Sequence, residues 1–238
     1  MGTTLTYFGH SAFSIDIAHG DSPTQLLLDP FIAGNPLAEG AGIRADAQKP
    51  AAIILTHGHS DHMGGTLPIA SRCNATVYAA FEICEFLQSK GLTHLEPGNP
   101  GGRIAAPWGW VAFTQAFHSN SFEGRYMGQP MGVMVHIDDA AGGKTIYHCG
   151  DTCLFSDMKL LGEIYKPDIA LIPIGDRFTM GPELASRAAE MIGAPIAVPI
   201  HYKTFGLLRQ DATGFEPRGV EMREMEPGES ICLDDCQR

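Results

Sequence analysis

Thr56-His57-Gly58-His59-Ser60-Asp61-His62 puts four groups able to bind a metal within six positions. Imidazole and carboxylate are ligand types that suit zinc, with manganese or iron as alternatives. A divalent ion needs donors converging from different directions. His57 and His59 are two apart, so an extended backbone points both the same way. Asp61 and His62 lie beyond the bend and face a second metal position. Solvated loop histidines would be the plainer reading, but that does not account for four residue types at fixed spacing.

The segments around the motif must hold it in place. Ala51-Ala52-Ile53-Ile54-Leu55 reads as a buried strand running into it, and Gly64-Gly65 as a tight turn leading to a helix. The motif then sits on a loop at the C-terminal edge of a strand, where α/β layouts place their sites. Residues 4–17 read as two strands joined at Gly9-His10-Ser11, and residues 26–30 as a third, ending at Asp29. The spacing predicts helices over 66–73, 81–89, 155–166 and 182–192, the third with Leu160, Leu161 and Ile164 on its apolar face. Strands are expected over 75–79, 169–174 and 196–200, on either side of Pro107 within 103–117, and as a hairpin over 132–138 and 144–149. An edge strand is expected near 230–233, and loops over 31–50 and 91–102.

Three further donors each fall just past a strand: His118, Asp151 and His201. Two metals sharing a carboxylate would use the whole set. One would take His57, His59 and His118, the other Asp61, His62 and His201, and Asp151 would bridge them. Asp29 is a candidate to hold a ligand imidazole in its tautomer, or else a turn residue before Pro30. His10 reads either as facing the cleft, to bind substrate or protonate a leaving group, or as a turn histidine with a structural hydrogen bond. Asp61 ligates and also accepts a hydrogen bond from the nucleophile. Tyr202 is a candidate oxyanion donor. His148 reads as structural, and His19, His94 and His136 as ordinary surface or strand histidines. Residues 175–181 read as part of the cleft rim, with Phe178 over the substrate.

Composition narrows the classes. Acidic residues outnumber basic ones 27 to 16, for a net charge of −11, which argues against a nucleic-acid partner. No apolar run approaches the roughly 18 residues of a membrane helix. No signal peptide is visible, so a cytoplasmic protein with its six cysteines reduced is expected. The length suits one domain over 1–238, in two halves of roughly 1–117 and 118–238, and self-association is compatible with its edge strands.

The set Thr56-His57-Gly58-His59-Ser60-Asp61-His62, His118, Gly150-Asp151-Thr152 and His201 resembles the metallo-β-lactamase superfamily. Phe8-Gly9-His10-Ser11-Ala12-Phe13, Tyr147-His148-Cys149-Gly150-Asp151-Thr152, Phe178-Thr179-Met180-Gly181 and Pro199-Ile200-His201-Tyr202 are similar to a branch of metal-dependent hydrolases near the ascorbate-phosphate lactonase group. The resemblance implies an α/β fold, the αββα four-layer sandwich of two mixed sheets face to face with helices outside, and a cleft holding two divalent metal ions. It implies a metal-dependent hydrolase using a metal-bridging hydroxide on a small ester, lactone or phosphoester. A redox or sulfur-transfer enzyme on the same fold, or a non-catalytic metal-binding protein, is the alternative. Asp151 stands where several true β-lactamases carry cysteine, and His59 where flavo-diiron proteins carry glutamate. The long insertions of RNA-processing relatives are missing.

Overall fold

The structure is a computed structural model that describes residues 2–18, 23–140 and 142–236; His19 lies outside them. The opening hairpin pairs β1 (Thr3–Gly9) with β2 (Ala12–Ile17). The chain continues through β3 (Thr24–Leu28), a short helix α1 (Pro36–Gly40) and β4 (Ala52–Ile54). Next come α2 (Ser60–Met63), α3 (Thr66–Cys73), β5 (Thr76–Ala80), α4 (Phe81–Ser89) and β6 (Leu95–Gly98). The second sheet opens with β7 (Arg103–Ala106) and β8 (Gly109–Gln115). A two-stranded flap, β9 (Ser121–Phe122) and β10 (Arg125–Tyr126), precedes the hairpin of β11 (Met131–Ile137) and β12 (Lys144–His148). The rest is α5 (Met158–Tyr165), β13 (Ile169–Pro173), α6 (Pro182–Ile192), β14 (Ile196–Ile200), β15 (Glu221–Met222) and β16 (Ser230–Cys232).

Two mixed seven-stranded sheets result, ordered β16-β1-β2-β3-β4-β5-β6 and β15-β14-β13-β12-β11-β8-β7. They face each other with helices outside, an αββα sandwich. Alternation along β11 shows how the layers form. Val133, Val135 and Ile137 share the core between the sheets with Leu5 and Phe13, while Met134 turns the other way, into the second core cluster that also holds Ala185 and Ala189 of α6. The parallel strands β4, β13 and β14 are buried along their whole length, as strands covered on both faces must be.

Several expectations need amending. The second sheet begins at Arg103, and β16 returns to the first sheet. The loop expected over 91–102 contains β6, an edge strand that tolerates Pro97, and that over 31–50 contains α1. In α5, Leu160 and Ile164 are exposed, and the buried positions are Met158 and Gly162. Gly162 lies against α6, where a Cβ would fall 2.0 Å from the Ile192 carbonyl oxygen. Close helix packing on glycine has overridden the apolar stripe. Gly64 and Gly65 form the expected tight turn before α3, with the dihedral angles of a type I turn. Gly65 is required by approach: a Cβ there would meet the Pro30 carbonyl oxygen at 2.1 Å. Among the described residues no helix is long and apolar enough to cross a membrane.

Candidate metal centre

The centre begins at Asp29, just past β3, buried and held at a positive φ of 41°. Its Oδ1 accepts the Thr56 amide at 2.8 Å; its Oδ2 accepts the Thr56 hydroxyl at 2.6 Å and His62 Nδ1–H at 2.7 Å. These bonds set two tautomers. With Nδ1 donating to Asp29, neutral His62 carries its lone pair on Nε2. The Thr56 hydroxyl spends its proton on Asp29, so it accepts from His57 Nδ1 at 3.0 Å, leaving the His57 lone pair on Nε2. Burial opposes ionisation of Asp29, but His62 foremost among its neighbours still holds its carboxyl below the ordinary value.

Beyond β4 the chain passes His57, Gly58 and His59 and enters α2, with Asp61 and His62 in its single turn. Gly58 is pinned by Asn120, which accepts its amide at 2.7 Å and donates to the Met127 carbonyl at 2.8 Å. A Cβ on Gly58 would strike the Met127 side chain at 2.8 Å, so only glycine allows this closeness. His57 Nε2 and His59 Nδ1 approach to 3.0 Å, and the His118 ring lies 5.3 Å and 5.1 Å from theirs.

Asp151 lies at the middle. Its Oδ1 is 3.3 Å from His62 Nε2, and its Oδ2 is 2.9 Å from His201 Nε2 and 3.5 Å from His118 Nε2. Asp61 Oδ2 is 3.7 Å from His201 Nε2 and 3.1 Å from His10 Nε2. Donor atoms fall within 4.8 Å of one another in three overlapping sets: His57, His59 and His118; His57, His62 and Asp151; and His10, Asp61, His62 and His201.

This donor set fits divalent cations. His62 Nε2 and Asp151 Oδ1 are buried and have no hydrogen-bond partner among the described residues. A lone pair there faces a carboxylate, an arrangement that demands positive charge. Protons can answer it: burial disfavours charge on His62, yet Asp151 and Asp29 carry its pKa well above the ordinary value. His201 follows the same balance, with burial outweighed by Asp151 and Asp61, and rises to about 9. Burial, by contrast, lowers His57, His59 and His118, which are neutral donors near pH 7.

The other candidates fall out differently. His10 is fully buried, with Nδ1 2.9 Å from the Thr204 hydroxyl and Nε2 on Asp61. Tyr202 is not an oxyanion donor, because its hydroxyl donates to Glu224 at 2.9 Å, away from the cluster. His148 donates from Nε2 to the Ser11 carbonyl and accepts the Gly150 amide at Nδ1, tying the opening turn to β12. His136 stacks on Trp110 and His94 is exposed. Met180 donates to the Thr152 carbonyl at 3.3 Å, which sets the 175–181 loop beside the Asp151 loop, with Phe178 exposed.

A family model described as the beta-lactamase superfamily domain matches residues 24–202. A UPF0173 metal-dependent hydrolase of Geobacillus thermodenitrificans is 46% identical over 96% of this chain and 99% of its own length. The chain belongs to the UPF0173 metal-dependent hydrolases of the metallo-β-lactamase superfamily. A Thermus thermophilus member is 43% identical, with 97% of this chain and 99% of that one covered. The solved structure of Igni18, a metallo hydrolase from Ignicoccus hospitalis, superposes with a TM-score of 0.83 at 34% identity over 98% of both chains.

Two residues of this hydrolase's centre carried no signal in the sequence. Asn120 and Thr204 act through partners 62 and 194 positions away, and neither belongs to a local pattern.

Proposed function

We propose that this metal-dependent hydrolase works with two divalent cations, zinc foremost with manganese or iron as alternatives, on a small ester, lactone or phosphoester. The observation that carries the reading is the convergence of His62, His118 and His201 on the Asp151 carboxylate, with Asp29 turning His62 toward it. In this reading His57, His59 and His118 hold one cation, Asp61, His62 and His201 the other, and Asp151 both. Bound there, such ions supply a water acidified to a pKa of about 7 and a Lewis acid for the substrate's oxygen.

The chain's own groups supply the rest. Asp29 keeps His62 and, through Thr56, His57 in the donating tautomer. Asp61 accepts a hydrogen bond from the attacking water. His10 stands behind Asp61; burial pushes its pKa down to about 4, so it is a neutral imidazole near pH 7. Thr204 donates its hydroxyl proton to the Tyr202 carbonyl and therefore accepts from His10 Nδ1, so His10 Nε2, 3.1 Å from Asp61 Oδ2, shares with that carboxylate the proton passed to the leaving group. A small molecule is the partner in this reading; the net charge of −11 favours neither nucleic acid nor an anionic membrane. Six unpaired cysteines support a reducing, cytoplasmic setting.

The test is a panel of lactones, thioesters, carboxylic esters and phosphodiesters, assayed with wild type and Asp61→Ala. Metal content is measured on protein purified without added metal. Metal-dependent turnover by wild type, lost in Asp61→Ala, is expected. Equal background rates for both proteins across the panel would overturn the reading.

A further inference from the structure

Aromatic rings border the donor cluster on two sides. Phe205, four residues past His201, is 39% exposed and meets the buried His10 ring edge-on at 5.5 Å. Phe31, two residues past Asp29, meets the same ring at 5.9 Å and lies 6.3 Å from Phe205. Across the cluster Phe117, next to His118, is 49% exposed and faces Phe155 at 5.3 Å. Polar donors at the floor and apolar rings at the rim are the composition of a small-molecule site.

Charge argues in the same direction. The cations that follow the His201 strand are committed elsewhere: Lys203 to Glu224 at 2.9 Å and Glu226 at 3.2 Å, Arg209 to Asp211 at 3.5 Å. Arg177 lies over the Phe178 ring at 5.8 Å.

We propose that the substrate is an uncharged carboxylic ester or lactone whose acyl side carries an aryl or branched alkyl arm, held by Phe31 and Phe205. The proposal rests on the hydrolase reading above and narrows its substrate range away from phosphoesters. In the reaction the oxygen of water bonds to the acyl carbon, the acyl C–O bond breaks, and the alcohol leaves with a proton, giving a carboxylic acid and an alcohol. The rings beside His10 take the arm and exclude water from the Asp61–His10 pair.

Two measurements separate this proposal from the reading beneath it. Calorimetry on metal-loaded protein compares phenylacetohydroxamate with acetohydroxamate. Wild type is expected to prefer the aryl compound by about tenfold. Phe205→Ala should lose that preference while keeping its acetohydroxamate affinity, which also shows that the variant is folded. Equal affinities in wild type, or a preference that survives in a Phe31→Ala/Phe205→Ala double variant, would overturn the proposal. Hydrolysis of ethyl phenylacetate, ethyl acetate and phosphodiesters is then compared. Preference for ethyl phenylacetate is expected; preference for phosphodiesters that is lost in Arg177→Ala also overturns it. Aryl preference in binding with no ester hydrolysed would instead defeat the hydrolase reading and leave the apolar pocket standing.

Discussion

At Asp29 one carboxylate serves three donors, and its effect reaches two of the proposed ligands. Replacing it with asparagine keeps the size but puts an NH2 where an oxygen stood. If the amide keeps its oxygen toward the Thr56 amide, the new N–H groups oppose both the Thr56 hydroxyl and His62 Nδ1–H. Asp29→Asn is therefore expected to lower metal affinity roughly 10- to 100-fold while the fold persists. Metal titration by calorimetry, with circular dichroism as the folding control, checks it. The proposed ligands could be named in the sequence because coordination restricts residue type and because four of them are close together, and the fold brings their side chains into one cluster. Asp29 was half legible: a strand-end Asp before Pro30 fits a turn equally well. Thr204 was not legible, since a hydroxyl that sets the tautomer of His10 looks like any other threonine until residues 10 and 204 meet.

Loops and short elements bring these side chains together, and here the sequence was more informative about regular elements than about brief ones. The helices α3, α4 and α6 and the strand β14 were expected at the residues where they occur, because each has its periodicity and a clear stop. The flap of β9 and β10 and the strand β15 span two residues per strand, too few to show a period. The flap nevertheless matters. It lies between Asn120 and Met127, and Asn120 joins that segment to Gly58 by two buried hydrogen bonds. Asn120→Ala leaves the Gly58 amide and the Met127 carbonyl unpaired, at about 1–3 kcal/mol for each group. The expected result is a loss of about 2 kcal/mol or more in denaturant unfolding, together with weaker metal binding at the His57–His59 side. Unchanged stability and affinity would show that water replaces the amide at no cost.

In the whole molecule, the two sheets are tied at the end that carries the centre. The Met131 amide donates to the Thr56 carbonyl at 3.0 Å, the His201 amide to the His10 carbonyl at 2.8 Å, and His148 Nε2 to the Ser11 carbonyl at 2.9 Å. Cations held as proposed, by residues of both sheets, would therefore stabilise the sandwich as a unit. At a free metal concentration about a thousandfold above Kd, the linkage is about 4 kcal/mol, or roughly 10 °C in Tm for a chain of this size. The difference should depend on pH. In the metal-free fold the proton on His201 stabilises fully below its ordinary 6.5. That contribution is lost as pH rises through about 9. Metal uptake must expel this proton and the one that Asp151 and Asp29 hold on His62, so affinity should climb with pH across that window, by up to about tenfold per unit for each proton released. Scanning calorimetry with and without chelator, at pH 6.5 and 9, should show the gap in Tm widening at the higher value. The hydrogen bond between His201 and His10 has one more consequence. It joins positions near opposite ends of the polypeptide, so the pocket is among the last parts of the molecule to form during synthesis. Until residue 201 leaves the ribosome, the Thr56–His62 loop already has Asp29, Asn120 and Met131 to hold it, but the set of His10, Asp61, His62 and His201 lacks its last donor, so that side of the centre is completed late.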